Sequence, residues 1–229
     1  MSAPGRRTGR AGGRAARVAA RTAGPTEDEK AVRPGLGGGA YKPLSDSECH
    51  TVFETALSLL EEFGMGQPIE EFIEVVVPAG GWVDEHGRLH FPRVLVEEMV
   101  GMACKEFTWY GFDEDHSIVV GGDRVHFGTA GAAVSVYENE TRKHRPSVLQ
   151  DIYDVARLVD TLEHVHFHVR TLVARDMVEA RHLDVNTAYA IAMGTSKPIG
   201  TSFFQPEHVH EVVDLYDEML GGRPGSFAE

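Results

Sequence analysis

From Val125 onward the chain alternates short β-type runs with helical runs, and this rhythm narrows the folds open to it more than any other feature. The stretch VHFGTAGAAVSVYENETRKHRPSVLQD opens the region. It holds a β-type run at 125–127, a small-residue segment, a second β-type run at 134–137, and polar turn residues 138–143. Arg145-Pro146-Ser147 then leads into a helix at 148–162, with Ser147 as its expected cap and Leu149, Ile152, Val155, Ala156, Val159 and Leu162 on the buried stripe. A strand at 164–172, a helix at 183–193 broken by Gly194, a strand at 197–203 and a helix at 206–220 follow. Strands and helices alternating at this length predict parallel βαβ units, and each linking segment is long enough for a crossover.

The part before Val125 reads differently. Ser45 and Glu48 form a capping-box pattern ahead of a helix reaching Phe63, with Gly64 as its stop. A second helix is expected at 68–77. A small hairpin is expected around Asp84-Glu85-His86-Gly87, and a third helix from Pro92 to about Cys104. Strands are expected at 107–112, 117–120 and 124–127, with Gly121-Gly122-Asp123 turning between the last two. The fold class is therefore α/β: a partial barrel-like strand–helix region preceded by an α+β helical and hairpin segment. The domain expectation is a disordered Arg/Gly-rich leader at 1–39, a helical and hairpin region at 40–124, and the strand–helix units at 125–229.

Charge decides which partners fit. The net charge is −13, and residues 1–24 carry six arginines and no acid, so −13 less the tail's +6 leaves −19 for the rest. A body this acidic does not suit nucleic-acid binding, which depends on neutralising phosphates. No apolar run approaches the roughly 18 residues of a membrane span. Cys49 and Cys104 stand far apart, form no disulfide framework or zinc motif, and fit a reducing cytoplasm.

The segments VHFGTAGAAV, RPSVLQDIYDVARLVDTLEHVHF and LDVNTAYAIAMGTSKPIGTSF, with RPGLGGGAYKPLSD ahead of the first helix, resemble the trimethylamine methyltransferase family along nearly the whole chain. The resemblance implies a (β/α)8 TIM-barrel-like fold. It also implies transfer of a methyl group from trimethylamine or a quaternary amine such as glycine betaine. The acceptor would be a corrinoid (cobalamin) carried by a partner protein, with no cofactor bound by this chain itself. Family members run to about twice this length, and a complete barrel takes about 250 residues. The chain is therefore expected to be an N-terminal part that pairs with a C-terminal barrel half or with copies of itself.

Holding a quaternary ammonium calls for aromatic faces, each worth about 0.5–2 kcal/mol. A substrate carboxylate calls for arginine or N–H donors. In such barrels these groups sit at the carboxyl ends of strands. The substrate-binding candidates are Tyr137, Glu138, Arg170, Thr171, Ser202, Phe203 and Phe204. The rival signal is His164-Val165-His166-Phe167-His168, whose alternate imidazoles on one strand face would suit a zinc hydrolase. It lacks partner ligands at matching spacing, so no metal is expected. A non-catalytic remnant that pairs with a separately encoded half is the remaining alternative.

Overall fold

The structure is a computed structural model that describes residues 23, 26 and 30–222; the arginine-rich leader expected at 1–39 lies mostly outside these. The described chain forms two compact units. One comprises 37–109 with 117–125, and the other comprises the segment up to Leu36, 110–116 and 126 onward.

In the first unit, helix α1 (Asp46–Ser58) starts where its sequence pattern predicts. The Ser45 hydroxyl accepts from the Glu48 N–H at 3.3 Å, and the Glu48 carboxylate accepts from the Ser45 N–H at 2.8 Å. One π-type turn, Leu59–Phe63, prolongs the helix until Gly64 takes a positive φ of 67°. Helix α2 (Glu70–Val76) leads to a hairpin of β1 (Trp82–Val83) and β2 (Leu89–His90). The Asp84 carboxylate holds this turn by accepting from the His86 and Arg88 N–H groups, at 2.9 and 2.8 Å. Helix α3 (Arg93–Met102) has Pro92 at its cap. Strand β3 (Glu106–Trp109) then pairs antiparallel with β4 (Ile118–Gly121), so the partner of β4 precedes it and is not the segment beyond Gly122. Leu57, Leu89 and Ile118 are the buried apolar residues here.

In the second unit, β5 (Ser135–Glu138) pairs antiparallel with β6 (Lys143–Pro146) around a turn where Arg142 adopts a positive φ. Glu138 and Lys143, expected in the turn, and Arg145-Pro146, expected to lead into the helix, are thus strand residues, and the 134–137 run has a partner along one side. Helix α4 (Leu149–Asp160) is capped by Val148, whose N–H donates to Asp151 at 2.9 Å. Ser147 does not cap it, because its hydroxyl is committed to the Val173 carbonyl at 2.7 Å. Strand β7 (His168–Val169) is followed by α5 (Ala180–Gly194), and β8 (Ile199–Gly200) by α6 (Val209–Met219). Strands β7 and β8 are parallel, with Ile199 opposite His168 and Gly200 opposite Val169. Parallel bridges join Gly128 to Phe167 and Ala133 to Leu172.

The core lies where the helices cover these strands. Ile152, Leu172, Ala174, Ala190 and Ile191 form one cluster, and Ala188, Ala192, Val212 and Tyr216 form a second. Gly194 lets α5 meet α4 closely, since a Cβ there would sit 2.5 Å from that of Ala156. The architecture is mixed α/β with small sheets. Among the described residues the strands pair only in twos and no closed barrel forms. The regular strands are also shorter than the 164–172 and 197–203 runs in the sequence.

Candidate functional site

Three parallel segments of the second unit direct their carboxyl ends the same way. The His166 N–H donates to the Phe127 carbonyl at 2.7 Å and the His168 N–H to Pro198 at 2.9 Å; the Arg170 N–H donates to Gly200 at 2.9 Å. The rim so formed carries Thr129, Arg170-Thr171 and Thr201-Ser202.

Thr129 closes a gap that the backbone leaves open. Between the bridges at Gly128 and Ala133 the first segment parts from its neighbour. The Thr129 hydroxyl takes its place, accepting from the Val169 N–H at 3.0 Å and donating to the Val169 carbonyl at 2.7 Å. Thr129→Val keeps the shape and strands both groups, at about 1–3 kcal/mol for each buried polar group left unpaired. We expect a loss of roughly 2–3 kcal/mol in urea unfolding, mostly recovered in Thr129→Ser. A threonine-like stability of the valine variant would show that the hydroxyl is dispensable.

Burial alternates along the neighbouring segment. His166, His168, Leu172 and Ala174 are buried while Phe167, Val169, Thr171 and Val173 are half-buried. The histidines therefore sit on the packed face with Leu172, not along an open face. His166 Nδ1 accepts from the Phe127 N–H at 3.0 Å, and His168 Nδ1 lies 3.3 Å from the Thr129 hydroxyl. Among the described residues no group of three or more His, Cys, Asp or Glu is placed to hold a metal.

Burial pushes the His168 imidazole down to about 4 and lowers that of His166 as well. The unfolded chain, with its histidines near 6.5, takes up these protons first. Stability from His168 is therefore full above about pH 6.5 and is lost as the pH falls toward 4. The loss should approach ~3 kcal/mol at the acid end. Urea midpoints across pH 4–7.5 test this, and His168→Gln should flatten the slope.

The nominated residues fall into two groups. Arg170, Thr171 and Ser202 are brought together by the parallel pairing. Tyr137 and Glu138 lie on the β5–β6 hairpin. The half-exposed Tyr137 ring meets His144 at 5.2 Å. Glu138 accepts from Arg145 at 2.7 Å and from Thr141 at 3.0 Å, and the Arg145 bond holds its carboxyl below the ordinary range. Arg145 also makes a two-pronged pair with Asp151, at 2.6 and 2.7 Å, tying the hairpin to the start of α4. Phe203 packs against the second core cluster, whereas Phe204 is 72% exposed.

Asp184 is a participant that the sequence reading missed. It is 1% exposed on α5 and accepts from the Phe204 N–H at 2.8 Å, the Gln205 N–H at 3.2 Å and His208 Nδ1 at 2.7 Å. It thus holds the loop that follows Ser202. The only available sign was one acid inside the otherwise apolar and small-residue run LDVNTAYAIAM.

A cavity of about 310 Å³ lies elsewhere, at the amino-terminal side of β8, lined by Phe112, Asp160, Met193, Thr195, Ser196 and Met219 among others. Thr195 and Ser196 both donate to the Asp160 carboxylate there. In strand–helix folds this end serves stability, and the carboxyl ends of strands carry the chemistry.

The profile of the trimethylamine methyltransferase (MTTB) family matches residues 10–226. The chain belongs to this family. It is 25% identical over 180 residues to a trimethylamine methyltransferase of Desulfitobacterium hafniense strain DSM 10664 / DCB-2, covering 78% of this chain and 36% of that protein. It is 26% identical over 185 residues to a glycine betaine methyltransferase of Desulfitobacterium hafniense strain Y51, covering 80% of this chain and 38% of the relative. A trimethylamine methyltransferase of Methanosarcina thermophila is 24% identical over 191 residues, covering 79% and 39%. The matched region thus spans less than two-fifths of each relative's length. These relatives are methyltransferases by name, and none of them favours the hydrolase alternative. No helix among the described residues is long and apolar enough to cross a membrane.

Proposed function

We propose that this chain takes part in moving a methyl group from trimethylamine or a quaternary amine such as glycine betaine to the corrinoid of a partner protein. The match to the family profile over residues 10–226 carries this reading. The parallel segments at Gly128, His168–Val169 and Ile199–Gly200 are read as the opening strands of a TIM-barrel-like region. The substrate would lie over their carboxyl ends. Tyr137 and Phe204 supply exposed aromatic faces for the cation, while Phe203, the third aromatic candidate, packs against the second core cluster. Arg170, Thr171 and Ser202 supply polar contacts, and Glu138 sets the hairpin through Arg145. Transfer breaks one C–N bond of a cationic donor, trimethylammonium or a quaternary amine, and the electron pair stays on the nitrogen of the neutral amine that leaves; the partner's corrinoid would supply the nucleophile that accepts the methyl group. The chain's own task is to hold and orient the amine and to exclude water. The cytoplasm suits this reaction, since both cysteines are exposed and free.

The relatives extend well beyond the matched region, so turnover is expected to need the region that lies outside the match. The test follows isotope-labelled methyl groups from trimethylamine and glycine betaine into a reduced corrinoid protein. The expected result is no transfer by the isolated chain, and chain-dependent transfer once a polypeptide bearing the relatives' remaining region is added. Absence of transfer in every combination would overturn the reading.

A further inference from the structure

We propose that the β1–β2 hairpin is a proton-operated latch, in which His90 is held as an imidazolium between the Asp84 carboxylate and the Glu61 carbonyl and lets the hairpin loosen when it loses its proton.

The partners of the ring carry the argument. His90 is 5% exposed, with Nδ1 2.8 Å from the Glu61 carbonyl and Nε2 3.1 Å from Asp84 Oδ2. A main-chain carbonyl and an ionised carboxylate only accept, and a neutral imidazole has one N–H to give. The neutral ring therefore turns a nitrogen lone pair toward one of these oxygens, and the imidazolium alone satisfies both. Asp84 is ionised, since its other oxygen takes the Arg88 and His86 N–H groups; the Arg88 bond is the chief cause holding its carboxyl down to about 2. The Glu61 carbonyl is open to His90 because the helix ends here. The Met65 N–H, which a continuing helix would aim at it, goes to the Leu89 carbonyl at 2.7 Å. The negative end of the dipole of α1 and its π-type turn favours a cation at this spot. Trp82 stacks on the ring at 4.8 Å between centroids and 6° between planes, and an aromatic face attracts the charged form over the neutral one.

The charged groups around the ring come from each neighbouring element. The Glu61 carbonyl bond, ahead of the Asp84 bond, raises the His90 imidazole above its ordinary value, while the charge of Arg88 opposes this. Arg88 is itself committed to the Phe63 and Gly64 carbonyls. The Glu61 carboxylate accepts the Arg93 N–H at 3.1 Å, and the Arg93 guanidinium at the start of α3 is paired with Glu54. The latch closes over the core of the first unit. Leu89 beside it is fully buried, and Leu89 and Phe91 exchange main-chain bonds with Met65 and Leu60. Gly64 packs against the ring, since a Cβ there would stand 3.1 Å from two imidazole carbons. Histidines of the unfolded chain titrate near 6.5, so stability from His90 is full below about pH 6.5 and is lost as the pH rises through its higher folded value. The sign is opposite to that of His168.

Nitrogen NMR of the His90 ring in the whole chain tests the assignment, because the shifts of Nδ1 and Nε2 separate the imidazolium from either neutral tautomer. The titration midpoint should lie above the ordinary value of about 6.5. In a Trp109→Phe background Trp82 is the only tryptophan, and its emission should brighten with the same midpoint as the quenching imidazolium is lost. Protection of the Met65, Leu89 and Phe91 N–H groups, corrected for the intrinsic effect of pH on exchange, should fall across that midpoint while protection in the β3–β4 pair holds. Asp84→Asn keeps an oxygen for the turn and offers an N–H to Nε2, so it should pull the midpoint down to the ordinary value or below. Glu85→Gln, at an exposed carboxylate of the same turn, should leave the midpoint unmoved. A parent midpoint at or below about 6.5, a midpoint that ignores Asp84→Asn, or hairpin protection that does not fall through the titration would each overturn the latch.

Discussion

Lys197→Met should destabilise the second unit by roughly 3 kcal/mol, the cost of leaving buried carbonyls without donors. Lys197 is 5% exposed, and its ammonium donates to three main-chain carbonyls: Val159 at 2.8 Å, Leu162 at 2.7 Å and Val165 at 2.7 Å. These bonds use all three of its donors. They also join the end of α4 and the turn after it to the segment that enters β8. The negative end of the α4 dipole adds to the attraction. Burial pushes the ammonium below its ordinary pKa range, and methionine removes that desolvation cost. It also orphans the three oxygens, each worth about 1–3 kcal/mol, so the balance favours lysine. Domains hold only about 5–15 kcal/mol in all. At about 4 °C per kcal/mol, where the ranges for smaller and larger domains meet, the midpoint should fall by on the order of 10 °C. Calorimetry would measure it. A midpoint within a degree or two of the parent would mean that water satisfies the three carbonyls and the lysine adds little.

Asp184→Ala should cost about 3–5 kcal/mol, the usual penalty for breaking a buried charged network from one side. The variant leaves the N–H groups of Phe204 and Gln205 and one nitrogen of the buried His208 without their acceptor. The damage should be local first. Hydrogen exchange at Phe204 and Gln205 should rise well before exchange within α5, which keeps its own ladder. Asp184→Asn retains one acceptor oxygen and should fall between. Because the loop begins just after Ser202, loosening it should also weaken binding of any methylated amine held by Phe204. Unchanged protection at Phe204 and Gln205 in the alanine variant would show that another group fixes the loop.

The sequence by itself determined the features whose causes are local. Ser45 and Glu48 lie three residues apart, and their reciprocal bonds form as the pattern predicts. The Asp84–Gly87 turn, the apolar stripe Ile152, Ala156 and Val159, and the stops at Gly64 and Gly194 follow from spacing and backbone freedom alone. Family membership was legible for a related reason, since ordered motifs along the whole chain survive at low identity.

Tertiary structure decided whatever depends on partners distant in sequence. Ser147 looked like a helix cap, yet its hydroxyl serves a carbonyl at Val173, and Asp151 takes over the capping role. Residues 138–143 read as a turn and Arg145-Pro146-Ser147 as the approach to a helix, since Lys, Arg and Pro have little strand propensity, but pairing with Ser135–Glu138 makes Lys143–Pro146 a strand. The 164–172 run is β-type throughout, while its regular strand shrinks to His168–Val169 because the first segment parts from it beyond Gly128. Thr129, Lys197 and Asp184 matter through groups 20 to 40 residues away. A hydrogen bond depends on where two groups meet in space, and no propensity or spacing within one segment encodes where a remote carbonyl or N–H will lie.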